Sequence, residues 1–309
     1  MTREVTVRAP GKLNLQLSVG PRQDDGYHSL ATVFQAVDLY EVVTAAPRHD
    51  DRFTLEMTML PTVKADQGAV PLDETNLVMK AARAVAARYG ITDGVDLRVV
   101  KGVPVAGGMA GGSADAAAAL LACAEAWDVG ATRDELDELG AGLGADVPFA
   151  LHGHTAVGLG RGDQLSPAMT HGEFHWVFAT QGHGLSTPLV YAEFDRQVAA
   201  GERVAKAPSL SDALMSALMA GDPRALGAAL HNDLQGPALV LAPYLKRTMD
   251  LAHEADALGV MISGSGPTVA ALARSRQHAL AIAAHLSAVG SSDAVLTASG
   301  PAPGAVVMT

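Results

Sequence analysis

The chain has 309 residues, 49% of them hydrophobic and 18% charged, an ordinary soluble composition with length enough for two domains. A net charge of −11 without any long Lys/Arg cluster argues against a nucleic-acid backbone or an anionic membrane surface as a partner. No apolar run is long enough to span a bilayer, and the single cysteine, Cys123, can form no intrachain disulfide.

The opening residues, MTREVTVRAP, lack the apolar core of a secretory signal, so a cytoplasmic protein is expected. Val5, Val7 and Ala9 alternate with polar residues, and Leu13, Leu15, Leu17 and Val19 repeat the period of two. The pattern predicts two strand runs separated by Pro10-Gly11. A turn over Pro21–Gly26 leads to a strand over Val33–Val43 that ends near Pro47. Asn76–Tyr89 reads as a helix stopped by Gly90, and Val95–Val100 as a strand. A Gly-rich loop then runs into an Ala-rich helix, Ser113 to Trp127, in which Cys123 reads as a structural thiol. A charged helix follows over Arg133–Leu143.

Around Gly153–Gly162 the chain is rich in Gly and His, and the domain boundary is placed there. A strand over His175–Ala179 opens the second half. Helices are expected over Ser209–Met219, Pro223–His231 and Leu245–Leu258. Val260–Ile262 and Val269–Ala273 read as strands around a Gly/Ser loop, Gln277–Val289 as a helix, and the last ten residues as a loose tail. Hairpins mixed with helices indicate an α+β class in both halves. Nothing in the sequence sets an oligomeric state.

The strongest chemical signal is Pro104-Val105-Ala106-Gly107-Gly108-Met109-Ala110-Gly111-Gly112-Ser113-Ala114, leading into the Ala-rich helix. Four Gly in six positions remove side chains where the backbone must approach something closely. A helix start offers unpaired N–H groups and the positive end of a dipole, so strand, loop and helix together suit nucleotide phosphates. The plainer reading is a flexible turn before a helix capped by Ser113. A β-branched side chain at Gly111 is expected to take space that phosphate needs. No Walker loop GxxxxGK[ST], no GxGxxG dinucleotide pattern and no protein-kinase signature is present.

This loop resembles the central motif of GHMP kinases, Pro-x-x-(Ala/Gly)-Gly-Leu-Gly-Gly-Gly-Ser-Ser-Asp-Ala-Ala. Ala9-Pro10-Gly11-Lys12-Leu13-Asn14-Leu15 and Ser263-Gly264-Ser265-Gly266-Pro267-Thr268 resemble the first and third motifs of that superfamily. The three stand in the right order over nearly the whole chain. Met109 and Ala110 replace Leu-Gly in the central motif, and Ala114 replaces its second Ser. Asp25-Gly26-Tyr27-His28-Ser29-Leu30 with Phe34-Gln35, and Leu143–Phe149, resemble the branch whose alcohol substrate carries a cytidine diphosphate.

The resemblance implies a two-domain α+β kinase with its active site in the inter-domain cleft. Residues 1–161 would carry the ATP loop and residues 162–309 the second domain. ATP and Mg²⁺ are the implied cofactors, with Ser113 as the candidate metal contact, and isoprenoid precursor synthesis is the implied role. Asp146 alone reads as a helix cap or a buried carboxylate paired with Lys or Arg; the resemblance makes it the base that accepts the hydroxyl proton. Lys12 alone could point to solvent; the resemblance places it beside Asp146 and the transferred phosphoryl. Asn14, on the same strand face as Lys12, would hold substrate hydroxyl or phosphate groups.

Tyr27 and His28 alone fit a half-buried ring and a surface turn. The resemblance has Tyr27 stack on the cytosine, His28 read its edge and Tyr191 cover its other face. Ser263–Thr268 would brace the Gly-rich loop. His152, His154, His171 and His175 show no metal-ligand spacing and read as surface or structural. The alternatives are a GHMP kinase for an alcohol of homoserine or mevalonate type, or an inactive binding protein of the same fold.

Overall fold

The computed structural model describes residues 4–64, 70–105 and 107–308. In chain order the first half comprises β1 (Val5–Arg22), β2 (His28–Pro47), β3 (Phe53–Met59), α1 (Leu77–Tyr89), β4 (Val95–Lys101), α2 (Gly111–Ala126), α3 (Arg133–Leu143), α4 (Val147–His152), β5 (Thr155–Gly160) and β6 (Gln164–Pro167). The second comprises β7 (Phe174–Thr180), α5 (Thr187–Ala199), α6 (Asp212–Ala220), α7 (Pro223–Ala229), β8 (His231–Asn232), α8 (Gln235–Leu241), α9 (Leu245–Glu254), β9 (Gly259–Ile262), β10 (Val269–Ala273), α10 (Arg276–Val289), β11 (Ala294–Gly300) and β12 (Val306–Val307). No helix among the described residues is long and apolar enough to cross a membrane.

The larger sheet runs β12-β1-β2-β4-β3, with β5 also on β2, β6 on β5 and the short β8 on β1. The smaller sheet is antiparallel, in the order β11-β7-β10-β9. Ala-rich α2 packs on one face of the large sheet, where Ala116–Ala119 meet Val5, Val43, Leu97 and α1. Small side chains let that helix lie close to the strands, and its length is buried almost throughout. Leu13, Leu15 and Val33 pack with Phe174, Trp176 and Phe178 of the small sheet. Each such large side chain contributes about 1.5–3 kcal/mol by leaving water. Trp176 is wholly buried and its indole N–H donates to Gln35 Oε1 at 3.0 Å, so the polar end of the ring is satisfied.

Local signals placed several elements well. Asn76 caps α1, its side chain accepting from Val78 N, and Gly90 ends that helix in the left-handed region at φ 65°. Thr132 and Glu135 form a capping box on α3.

Other elements differ from expectation. Pro10-Gly11 does not divide the first strand; β1 continues through it with a bulge. There Lys12 N leaves the strand ladder for Met109 O, and a Cβ at Gly11 would stand 3.0 Å from Val103. The Ala-rich helix begins at Gly111, so Ser113 lies inside its first turn and does not cap it. Helices α4, α5 and α8 and strands β3, β5, β6 and β11 were not expected. The last ten residues are no loose tail: β12 pairs with β1, and Ala305 N donates to Ala150 O at 3.0 Å. The division at 161/162 is kept as a proposal. It falls in the turn between β5 and β6, and the chain enters the small sheet only at β7.

Candidate active site

β1 and β2 pair with Lys12 opposite Ala36 and Asn14 opposite Phe34. The two-residue spacing puts Lys12 and Asn14 on one face. Lys12 is not free in solvent: it is 7% exposed, and its Nζ donates to Asn14 Oδ1 at 2.7 Å. Asn14 Nδ2 donates to Thr32 Oγ1 at 2.8 Å, which donates to Gln16 O at 2.6 Å. This relay fixes the amide so that its oxygen meets the ammonium. Phe34 closes one side, its ring centroid 5.1 Å from Nζ.

Asp146 enters from the start of α4, its Oδ2 3.6 Å from Lys12 Nζ. It holds the N-cap position without making a capping hydrogen bond, so its carboxylate is left to face the cavity. That removes the plainer reading of Asp146 as a helix cap. Lys12, Asn14, Thr32, Ser113 and Asp146 line one cavity of about 380 Å³, with Gly264 and Ser265 from the third motif.

The Gly-rich loop reaches this cavity through the start of α2. Ala110 sits in the left-handed region at φ 57°, and no side chain caps the helix. The backbone thus keeps a path suited to glycine at a strain of about 1–2 kcal/mol, and the first-turn N–H groups stay open to an anion. Met109 and Ala114 are wholly buried, so neither side chain reaches a ligand and only their backbone could. The Ala114 departure therefore lies on the core side of the helix. Ala106 lies outside the described residues. Pro104, Val105, Gly111 and Gly112 line a separate cavity of about 320 Å³ with Asn76, Leu77 and Lys101.

The expected role of Gly111 changes. A Cβ there would meet Glu41 Oε1 at 2.8 Å, inside the protein and not in phosphate space. Glu41 belongs to a buried trio beneath the helix start: Lys101 Nζ lies 2.5 Å from both Glu41 Oε1 and Asp115 Oδ2. Glu41 Oε2 also accepts from Gly102 N at 2.9 Å. Burial, reinforced by the Asp115 charge, pushes the Glu41 carboxyl up to about 8; burial also raises Asp115.

The third motif braces the loop. Ser263 Oγ donates to Gly108 O at 3.0 Å, and Gly108, at φ 74°, has no room for a Cβ, which would stand 2.2 Å from Ser263 O. Asn232 Nδ2 donates to both Ile262 O and Gly264 O, which holds the motif from below.

Tyr27, His28 and Tyr191 come together around a neighbouring cavity of about 570 Å³. Tyr27 is exposed, while Tyr191 is half-buried and its hydroxyl is pushed up to about 12 by burial, so it stays protonated. The His28 and Tyr191 rings lie 5.2 Å apart. His28 is buried, with Nδ1 2.9 Å from Gly20 O and Nε2 3.3 Å from Asp195. Reading a base edge with this ring requires exchanging one partner, and the longer Asp195 contact yields more readily.

Sequence reasoning missed Thr32, Glu41, Lys101, Asp195 and Arg161. Arg161 carried a usable signal, since Gly160 and Gly162 flank it in a turn. Thr32, Glu41 and Lys101 sit in or next to segments that read as plain strand, Asp195 sits in the unexpected α5, and only the tertiary fold brings the four to the site.

Comparisons with known proteins identify the family. The model for the GHMP kinases N terminal domain matches residues 76–154, and that for the GHMP kinases C terminal matches residues 214–292. The chain is 52% identical over 305 residues to a 4-diphosphocytidyl-2-C-methyl-D-erythritol kinase of Thermobifida fusca, covering 98% of each. A crystal structure of 4-(cytidine 5'-diphospho)-2C-methyl-D-erythritol kinase matches with a TM-score of 0.78 and 30% identity, over 96% of this chain and 98% of that one. A homoserine kinase of Cytophaga hutchinsonii matches with a TM-score of 0.72 over 100% of this chain and 98% of that one, and its 18% identity shows the shared fold alone. By sequence over its whole length and by fold, the chain belongs to the 4-diphosphocytidyl-2-C-methyl-D-erythritol kinase family of GHMP kinases.

Proposed function

We propose that the chain transfers the γ-phosphoryl group of ATP to the 2-hydroxyl of 4-diphosphocytidyl-2-C-methyl-D-erythritol, a step of isoprenoid precursor synthesis, with the cytoplasm as its location. The observation that carries this is the adjacency of two cavities. One holds Lys12 and Asp146 beside an open helix start, and the other is walled by Tyr27 and Tyr191. An alcohol of homoserine or mevalonate type has no base to place in the second. An inactive protein has no need of a buried Lys12 aimed at Asp146.

In this mechanism the γ-phosphate rests at the N–H groups of Gly111, Gly112 and Ser113, and the rest of the nucleotide extends toward Asn76, Leu77 and Lys101. The substrate hydroxyl faces Asp146. As its oxygen bonds to the γ-phosphorus, the bond to the β-phosphate oxygen breaks and ADP leaves. Asp146 accepts the hydroxyl proton and later releases it to water. Lys12, oriented by Asn14, offsets the negative charge on the phosphoryl group in flight.

Among the described residues no three His, Cys, Asp or Glu side chains converge to cage a metal. Such a donor set fits Mg²⁺ arriving on the nucleotide with its own waters, with the Ser113 hydroxyl as the protein contact. Bound there, the ion would neutralise phosphate charge.

Phosphorus NMR of a mixture of protein, ATP and the cytidyl alcohol tests the reaction. A new phosphomonoester signal, formed in step with ADP, is expected while the substrate diphosphate stays intact. ADP formation without a phosphomonoester, or no turnover at all, would remove the assignment.

A further inference from the structure

The two cavities share Leu30, Ala145, Arg161, Thr187 and Tyr191 in their linings, and Arg161 is the one charged group among these five. The other Lys and Arg side chains lining either cavity stay at the ends: Arg22 lines only the base cavity and Lys12 only the transfer cavity. A substrate with its base between Tyr27 and Tyr191 and its acceptor hydroxyl at Asp146 must cross the shared wall with its linking diphosphate. That group carries at least two negative charges and meets an otherwise uncharged wall.

We infer that Arg161 binds the diphosphate of the substrate, an assignment that rests on the cytidyl substrate proposed above. Arg161 stands at the turn between β5 and β6, between Gly160 at φ 70° and Gly162 at φ 90°. These two residues let the turn close while its one long side chain extends over the cavity wall. The guanidinium lies 3.8 Å from the centroid of the Tyr27 ring, and its Nη2 is 2.9 Å from Asp25 Oδ2. The other oxygen of Asp25 accepts from Tyr27 N at 2.9 Å. One carboxylate therefore positions both the stacking ring and the cation.

A guanidinium has five N–H donors in a planar fork, and Asp25 engages one terminal nitrogen, leaving the rest of the fork for phosphate oxygens. If the contacts served only to steady the turn, they would form an exposed ion pair of little energetic consequence. Such a pair would not distinguish a ligand with phosphates from one without.

That distinction supplies the test. Dissociation constants for cytidine and for cytidine diphosphate are measured by calorimetry on the intact protein, with the ATP site saturated by a non-hydrolysable ATP analogue. Wild type, Arg161→Ala, Arg161→Lys and Arg22→Ala are compared. Wild type binds the diphosphate more tightly than the nucleoside. Arg161→Ala reduces that preference by about 10- to 100-fold, the scale of a contact between charged groups, and leaves cytidine affinity unchanged. Arg161→Lys keeps part of the preference, because a point charge remains without the fork, and Arg22→Ala keeps all of it.

An Arg161→Ala protein with the wild-type preference overturns the inference. So does one that loses cytidine and cytidine diphosphate affinity equally, since Arg161 would then only prop Tyr27. So does loss of the preference in Arg22→Ala. A wild-type protein that binds neither ligand removes the cytidyl substrate itself, and the inference with it.

Discussion

Replacing Asp146 by Asn keeps the size and shape of the side chain and removes its charge and basicity. The structure separates what this does to folding from what it does to chemistry. Asp146 makes no capping hydrogen bond to α4, and its side chain is 32% exposed. Its ion pair with Lys12 is long, at 3.6 Å, and open to water on the Asp146 side, so its contribution to stability is modest. Lys12 keeps Asn14 Oδ1 at 2.7 Å and the Phe34 face in the variant, so it stays in place. Thermal stability should therefore scarcely change.

The chemical step loses its proton acceptor, which general base catalysis values at about 10²–10⁴-fold in rate, or roughly 3–5 kcal/mol of barrier. The assay couples ADP release to a spectroscopic signal at saturating cytidyl alcohol. Calorimetry with an ATP analogue and a melting curve are run on the same preparation. Expected are a kcat lowered by about 10²–10⁴-fold, an unchanged analogue affinity and a near-native melting temperature. A folded Asp146→Asn protein with near-wild-type kcat refutes the role given to Asp146. A severe loss of stability refutes the structural reasoning that left it uninvolved in packing.

Gly108→Ala should weaken ATP binding by about tenfold or more, because a Cβ there meets Ser263 backbone at a positive φ and the loop must move; unchanged ATP affinity would show that the brace has no consequence. Tyr27→Ala should cost about 1–3 kcal/mol of affinity for the cytidyl substrate, and Tyr27→Phe little, since the ring face stacks and not the hydroxyl; equal affinity in Tyr27→Ala would argue against stacking. Glu41, held near 8 in the fold and lower when unfolded, contributes stability that is complete below the ordinary carboxylate range and is lost as pH rises toward 8. Glu41→Gln should therefore flatten the fall in melting temperature between about pH 5 and pH 8, and parallel curves for the two proteins would contradict the buried trio's protonation.

Local patterning made much of the fold readable. Helices α1 and α3 carry capping signals within a few residues of their ends, and β10 lies between the Gly/Ser turn of Ser263–Thr268 and the Ser275 cap of α10, so their limits follow from neighbouring chemistry. The short β12 has no such signal: it exists because β1 offers a free edge, a partner about 300 residues away in sequence. Helix α4 has six residues between Asp146 and Gly153, too few for a helical period to show.

The site divides in the same way. The residues of the Gly-rich loop announce themselves by composition, whereas the Lys12–Asp146 contact joins β1 to α4 and is invisible to any local window. It was expected only because both segments resemble those of one kinase superfamily. Glu41 and Lys101 were hidden for a further reason, since each sits on a regular strand, β2 or β4, that carries other polar residues and so does not mark a buried ion pair.

The central claim is that the two adjoining cavities select an alcohol bearing a cytidine diphosphate. The measurement that tests it most directly is kcat/KM for ADP formation with 4-diphosphocytidyl-2-C-methyl-D-erythritol, homoserine and mevalonate under one set of conditions. The account predicts turnover of the cytidyl alcohol, with the other two lower by at least about 10³-fold, since they forgo both the stacked base and the diphosphate. Comparable kcat/KM for homoserine or mevalonate, or no turnover of the cytidyl alcohol, would contradict it.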